Sequence, residues 1–272
     1  MAESRKRGGQ ELRFGFSEPF GMGAMGASVH VFFALPKLCG NGGLSFGLAL
    51  AIAFCQNAVM KRLADCRLYA FVDTAYLRGR TPAAIAEQLC KGRADLIQLR
   101  AKQSTLVEVR AMAEAILPIT RACNVGLVIN DHWSIANEVG ADLCHLGQED
   151  FFAAGHTAVS ELSGGGHGLG VGLSTHAPEQ AQRAVAAGAD YIAIGPVYAT
   201  GTKPGSVPVT LEYVRWAAAN VRIPWFAIGG INLENLPDVL TAGATRVCVV
   251  SAILNSEDVT RACGKFREVL DR

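Results

Sequence analysis

A surplus of either charge is missing from this 272-residue chain, in which 25 lysines and arginines stand against 24 aspartates and glutamates for a formal net charge of +1. Without a basic excess there is no broad electrostatic footprint for sequence-independent nucleic-acid binding, so any anion must be held locally. No CxxC pair occurs among the eight cysteines (39, 55, 66, 90, 123, 144, 248 and 263), and most sit in apolar runs such as Leu143-Cys144 and Val247-Cys248-Val249. This argues against a zinc or disulfide framework and predicts a reduced, cytoplasmic protein. Long hydrophobic runs are also scarce. The stretch from Leu44 to Phe54 is broken by Ser45 and Gly47, is too short for the ~20 residues of a membrane-spanning helix, and lies too far along the chain for an ordinary signal peptide. Neither a nucleic acid nor a membrane is an expected partner.

What the chain does have is apolar content: 50% of its residues are hydrophobic, enough at this length to bury a full core in one domain. Residues 1–62 are interrupted by Gly21, Gly23, Gly26, Gly40, Gly42 and Gly43 and keep no regular period. They read as a poorly ordered N-terminal extension, or as translation from a start upstream of Met60. An organelle-targeting role ranks lower, because the segment is not rich in serine and carries Glu3, Glu11 and Glu18. Residues 63–272 form the predicted folded domain.

There, short apolar runs recur at Leu68–Val72, Leu96–Leu99, Leu127–Ile129, Leu143–Leu146, Leu169–Leu173, Tyr191–Ile194, Trp225–Ile228 and Val247–Val250. Amphipathic stretches at Pro82–Cys90, Leu106–Ile116, Pro178–Ala187, Leu211–Ala219, Leu236–Leu240 and Val259–Leu270 separate most of them or follow the last. Such alternation predicts parallel βα units. Gly92-Arg-Ala-Asp95, Gly140-Ala-Asp142, Gly188-Ala-Asp190 and Gly243-Ala-Thr245 repeat between a helix and the next strand. Glycine is expected there because it closes a helix in the left-handed conformation without penalty. Eight units in about 205 residues predict an α/β fold, a compact (β/α)8 TIM barrel. A doubly wound open sheet is the alternative, but no GxGxxG turn follows the first strand.

Barrel enzymes collect their active groups where strands end. The polar residues here follow that rule: Gln98, Arg100 and Lys102 after the second run, Asn130 and Asp131 after the third, Asp150 after the fourth, Ser174 after the fifth, Thr200 to Lys203 after the sixth, and Gly229, Gly230 and Ser251 after the last two. Arg100, Lys102 and Lys203 suggest one anion site. The glycine pair with Ser251 suggests a second, for phosphate. Asp131 and Asp150 follow neighbouring strands and are placed to share a hard cation such as Mg2+, whereas a lone aspartate at such a position ordinarily caps a helix or loop. His145 and His176 receive no role. Asp142 and Asp190 start strands, on the face that serves stability.

These residues resemble the thiamine phosphate synthase family. The strings Gln98-Leu-Arg-Ala-Lys102, Val128-Ile-Asn-Asp131, Gly140 to Asp150, Gly172 to His176, Gly195 to Lys203, Ala227 to Ile231 and Val249 to Ile253 match it in order and spacing, from about Leu68 to Leu270. The resemblance implies an enzyme that joins 4-amino-5-hydroxymethyl-2-methylpyrimidine diphosphate to 4-methyl-5-(2-phosphooxyethyl)thiazole, giving thiamine phosphate and diphosphate. It implies that Gln98, Arg100, Lys102, Asn130, Ser174 and Lys203 hold the pyrimidine diphosphate, with Leu99 and Ala101 between them, and that Asp131 and Asp150 hold Mg2+. Thr200, Gly201, Thr202, Gly229, Gly230, Val250 and Ser251 fall to the thiazole phosphate. Arg100, Lys102 and Lys203 become the catalytic set, offsetting charge on the departing diphosphate. A homo-oligomer is compatible with this reading.

The chain departs from the family at Ala101, where a glutamate is common, at His132-Trp133, where a second acid is common, and at Pro208-Val-Thr-Leu211, where a glycine is frequent. Two other functions compete. A thiazole tautomerase of the same barrel type would lack the diphosphate and metal set, and a non-catalytic phosphate-sensing barrel would release nothing. Fold by itself does not choose among them.

Overall fold

Continuous burial on both faces is what the apolar runs demand of a parallel sheet, and in the computed structural model, which describes residues 60–162, 168–201 and 207–272, they close into a ring. The strands are β1 (Leu68–Asp73), β2 (Leu96–Arg100), β3 (Gly126–Asn130), β4 (Leu143–Gly147), β5 (Gly170–Thr175), β6 (Tyr191–Ile194), β7 (Trp225–Ile228) and β8 (Val247–Cys248). Each pairs in parallel with the next, and β8 returns to β1 through Leu68 opposite Val247. The fold is the (β/α)8 barrel, not the open sheet.

Around it run α1 (Pro82–Lys91), α2 (Leu106–Ala122), α3 (Trp133–Val139), α4 (Gln148–Ala153), α5 (Pro178–Ala186), α6 (Thr210–Asn220), α7 (Leu236–Thr241), α8 (Ser251–Leu254) and α9 (Val259–Leu270). Local signals start the longer ones. Thr81 accepts from the Ala84 amide ahead of Pro82, and Thr105 with Glu108 forms a reciprocal capping box at α2. This second helix continues past its expected end at Ile116, through Pro118, because Leu117 and Thr120 bury against the core. Helices α3 and α4 had no counterpart in the sequence pattern: six or seven residues are too few to show a period.

The repeat does more than close helices. Gly140, Gly188 and Gly243 are left-handed, at φ +71°, +83° and +102°. The first copy differs: Gly92 has φ −75° and the left-handed residue is Arg93, at φ +67°. Glycine is needed at 92 for space, since a Cβ there would lie 2.5 Å from the Cβ of Cys263 on α9.

The first three copies end in aspartate, which accepts from the backbone at the start of the preceding strand. Asp95 takes the Leu68 amide at 3.1 Å, Asp142 the Leu127 amide at 2.9 Å, and Asp190 the Val171 amide at 2.7 Å. They pin β1, β3 and β5 on the floor of the barrel, the stability role expected of Asp142 and Asp190, whereas the fourth copy ends in Thr245. Asp95 is fully buried and also receives Lys61 Nζ at 2.6 Å and Arg267 at 2.5 Å. Burial pushes its carboxyl up, but Lys61, the Arg67 and Leu68 amides and Arg267 outweigh that and hold it below the usual range. Lys61 belongs to the expected extension, yet its ammonium already contacts the barrel; residues 1–59 of that extension lie outside the described residues.

Candidate active site

Alternation along each strand decides what faces the barrel interior. Tyr69 and Phe71 from β1, Gln98 and Arg100 from β2, Asn130 from β3, His145 and Gly147 from β4, Ser174 from β5 and Ala193 from β6 line one cavity of about 280 Å3 at the carboxyl ends of the strands. Lys102, Asp131, Asp150, Thr200, Gly229, Gly230, Val250 and Ser251 join them. Most of the predicted site residues are therefore brought to one mouth.

Five of them are not placed in its wall. Leu99 is fully buried, one step out of phase with Gln98 and Arg100, and packs in the hydrophobic core; Ala101 is buried likewise. The period of two in a strand turns the Leu99 side chain away from the cavity, and Ala101, one residue past the end of β2, has its side chain packed in the core. Thr202 and Lys203 lie outside the described residues. Gly201 lies in an adjoining cleft with Gly230 and Ser251.

The two described cations are each tethered. Arg100 donates to Asp73 Oδ2 at 2.8 Å, and Lys102 pairs with the Asp131 carboxylate. Asp73, the partner of Arg100, was not singled out in the sequence. It ends β1, is buried, and also accepts from the Ala75 amide. The strand-end rule already applied to the other strands would have found it.

Asp131 does not cap α3: the N-cap is His132, and no side chain caps that end. Asp131 instead adopts φ +65° and donates its amide to the His145 carbonyl at 2.9 Å, while its carboxylate goes to Lys102. Asp150 sits in the first turn of α4, whose N-cap is Gly147, and a Cβ at Gly147 would come 2.8 Å from Asp150 Oδ2. The missing side chain leaves that carboxylate its place. Among the described residues no three His, Cys, Asp or Glu side chains gather as a full metal cage. Two oxygen donors nevertheless suit magnesium, which keeps waters and takes its remaining ligands from substrate phosphate.

Opposite, Gly229 and Gly230 take φ +103° and +65°, and Cβ atoms there would lie 2.4 Å from Pro196 Cβ and 2.6 Å from the Ala199 carbonyl. Only glycine fits this turn, which brings bare backbone to the cavity beside Ser251. His176 is anchored by its Nδ1 to the Gly195 carbonyl. His145 is held neutral, since burial lowers its pKa to about 4 against the raising effect of Asp131.

Barrel and mouth define the class: a (β/α)8 barrel with a polar cavity at the carboxyl ends of its strands. The chain belongs to the thiamine monophosphate synthase family, whose model matches residues 68–253. It is 39% identical over 209 residues to the thiamine-phosphate synthase of Halalkalibacterium halodurans, covering 76% of this chain and 97% of the relative. Against the thiamine-phosphate synthase of Thermus thermophilus it is 45% identical over 185 residues, 68% of this chain and 86% of the relative. Among solved structures it resembles a thiamine phosphate pyrophosphorylase from Pyrococcus furiosus, with TM-score 0.68, 27% identity and coverage of 78% and 98% of the two chains. Among the described residues no helix is long and apolar enough to cross a membrane.

Proposed function

We propose that the chain is the transferase of its family, joining 4-amino-5-hydroxymethyl-2-methylpyrimidine diphosphate to 4-methyl-5-(2-phosphooxyethyl)thiazole with release of diphosphate, in the cytoplasm. One observation carries the reading: Arg100, Lys102, Asp131 and Asp150 face the same cavity as Gly229, Gly230 and Ser251, giving a cationic, carboxylate-bearing anion site beside a backbone-lined one.

Breaking the bond between the pyrimidine methylene and diphosphate leaves a cation delocalised over an electron-rich ring, which the thiazole nitrogen attacks. The protein therefore has no nucleophile to supply. Its work is positioning and charge neutralisation. Arg100, fixed by Asp73, and Lys102 offset the charge on the departing group, with Asn130 and Ser174 on the same wall. The family resemblance adds Lys203 to this set and Thr202 to the thiazole phosphate. Asp131 and Asp150 are the residues that would hold magnesium, which when bound supplies further positive charge to phosphate oxygens. Phe71, Ile228 and Cys248 line the same space and keep it poor in water.

Diphosphate release by the recombinant protein, supplied with both substrates with and without Mg2+, tests this reading. Metal-dependent release that is lost in Asp131→Ala and Asp150→Ala is expected, with both variants still folded by circular dichroism. Unchanged turnover in both variants removes the metal assignment. Thiazole isomerisation without metal would mark the tautomerase, and binding without release the sensor.

A further inference from the structure

Two buried tyrosine hydroxyls lie in the interior of the barrel and form a chain between two cavity-lining side chains. Gln98 Nε2 donates to the Tyr69 hydroxyl at 2.6 Å, the Tyr69 and Tyr191 hydroxyls are 3.0 Å apart, and the Tyr191 hydroxyl lies 3.1 Å from His145 Nδ1. Their rings are packed by Phe226, which meets both edge-on, and Gly172 makes room for Tyr191: a Cβ there would fall 2.0 Å from its Cζ.

We propose that Tyr69, Tyr191 and His145 are positioning residues that lock Gln98, as a one-way relay, so that an acceptor on Gln98 and a donor on His145 are offered together to the amino and ring-nitrogen edge of an aminopyrimidine. A hydroxyl has one proton to give. Tyr69 receives the Gln98 N–H, so its own proton passes to the Tyr191 oxygen, and the Tyr191 proton passes to His145 Nδ1. That nitrogen accepts, and the neutral ring therefore carries its proton on Nε2. Gln98 Oε1 and His145 Nε2 have no protein hydrogen-bond partner among the described residues, and both side chains line the cavity. The ligand complementary to this pair is a flat heterocycle bearing an N–H donor beside an unprotonated ring nitrogen. A 4-oxo analogue, with a carbonyl and a ring N–H in those places, presents the opposite pattern and leaves buried polar groups unpaired.

The specificity half of this inference rests on the proposed reaction; the relay itself does not. The test has two arms. In the first, Tyr191→Phe keeps the ring and removes the hydroxyl, and the ratio of kcat/KM for the 4-amino over the 4-oxo pyrimidine diphosphate is measured against the unmodified enzyme. That ratio is expected to fall about tenfold or more, whereas a tyrosine that only packs would change melting temperature and leave it alone. In the second, 15N shifts of His145 in the ligand-free, unmodified protein are expected to show the Nε2–H tautomer, and Tyr191→Phe should abolish that single form. An unchanged ratio, or a proton on Nδ1 in the unmodified protein, overturns the relay. If the unmodified enzyme turns over neither pyrimidine, the functional reading fails while the imidazole measurement still decides the relay.

Discussion

Thr210 opens α6 at φ +60°, a conformation that a β-branched side chain adopts only at a cost. It stands in the Pro208–Leu211 segment, where the family frequently has glycine, so a departure visible in the sequence becomes a strained residue in the fold. Replacing it (Thr210→Gly) is expected to raise stability by about 1 kcal/mol, or about 2–4 °C in Tm by calorimetry, despite loss of the 3.3 Å contact from the Glu212 amide to its hydroxyl. Asp131 is also left-handed, but aspartate tolerates that region better. The capping role that a lone aspartate usually has is taken away from it by His132, which is what makes its pairing with Lys102 informative about function. Asp73 holds Arg100 by an ion pair at 2.8 Å. Asp73→Asn, which keeps the shape and removes the counter-charge, should lower kcat/KM about tenfold to a hundredfold by freeing the guanidinium, with the KM for the pyrimidine diphosphate rising and that for the thiazole phosphate unchanged. Equal effects on both substrates would place Asp73 outside the diphosphate side.

Elements were legible where an apolar run or an amphipathic stretch marked them. All eight strands stand within two residues of the expected runs at both ends, and α9 runs over the same residues as predicted. Strand β8 stops at Cys248, two residues short, because Val250 already serves as the N-cap of α8. The short helices α3 and α4 left no period to read. The glycine repeat was legible as a pattern, but its cause at Gly92 was not: close approach of Cys263 is a contact between residues 171 positions apart, which no local rule contains. The repeat's aspartates carry their own prediction. Asp190→Ala removes one acceptor from the start of β5 and is expected to cost about 1–2 kcal/mol in denaturant unfolding. Asp95→Asn takes one of two carboxylate partners from Arg267, itself largely buried, leaving it Asp271 at 2.8 Å, and also unpairs Lys61, and is expected to cost about 3 kcal/mol. Equal losses at the two positions would contradict the distinction.

Over the whole molecule, the strand-end rule made most of the mouth legible because polar residues interrupting apolar runs are conspicuous. Tyr69 and Tyr191 were not, since an aromatic inside a strand reads as core, and only their hydroxyl partners separate them from ordinary packing. The side chains of Leu99 and Ala101, between the polar residues of the same string, pack in the core. Acid should act on His145 in the mouth before it strains the floor: its buried ring is held neutral down to about pH 4, so it costs stability as pH falls from its usual value of about 6.5. The Asp95 carboxyl is held below its usual value when folded, so its contribution is fully present above pH about 4 and is lost as pH falls through the lower folded value. Unfolding followed against pH should accordingly show a loss of stability below pH about 4 that Asp95→Asn greatly reduces.

The aspartates that fasten β1, β3 and β5 sit at one end, and the groups assigned to chemistry sit at the other, with no side chain among the described residues belonging to both. Durability and specificity are therefore inherited separately in this chain. Its rim is open to exchange of one reaction for another by substitution, while the fastening at the base goes on holding the ring closed.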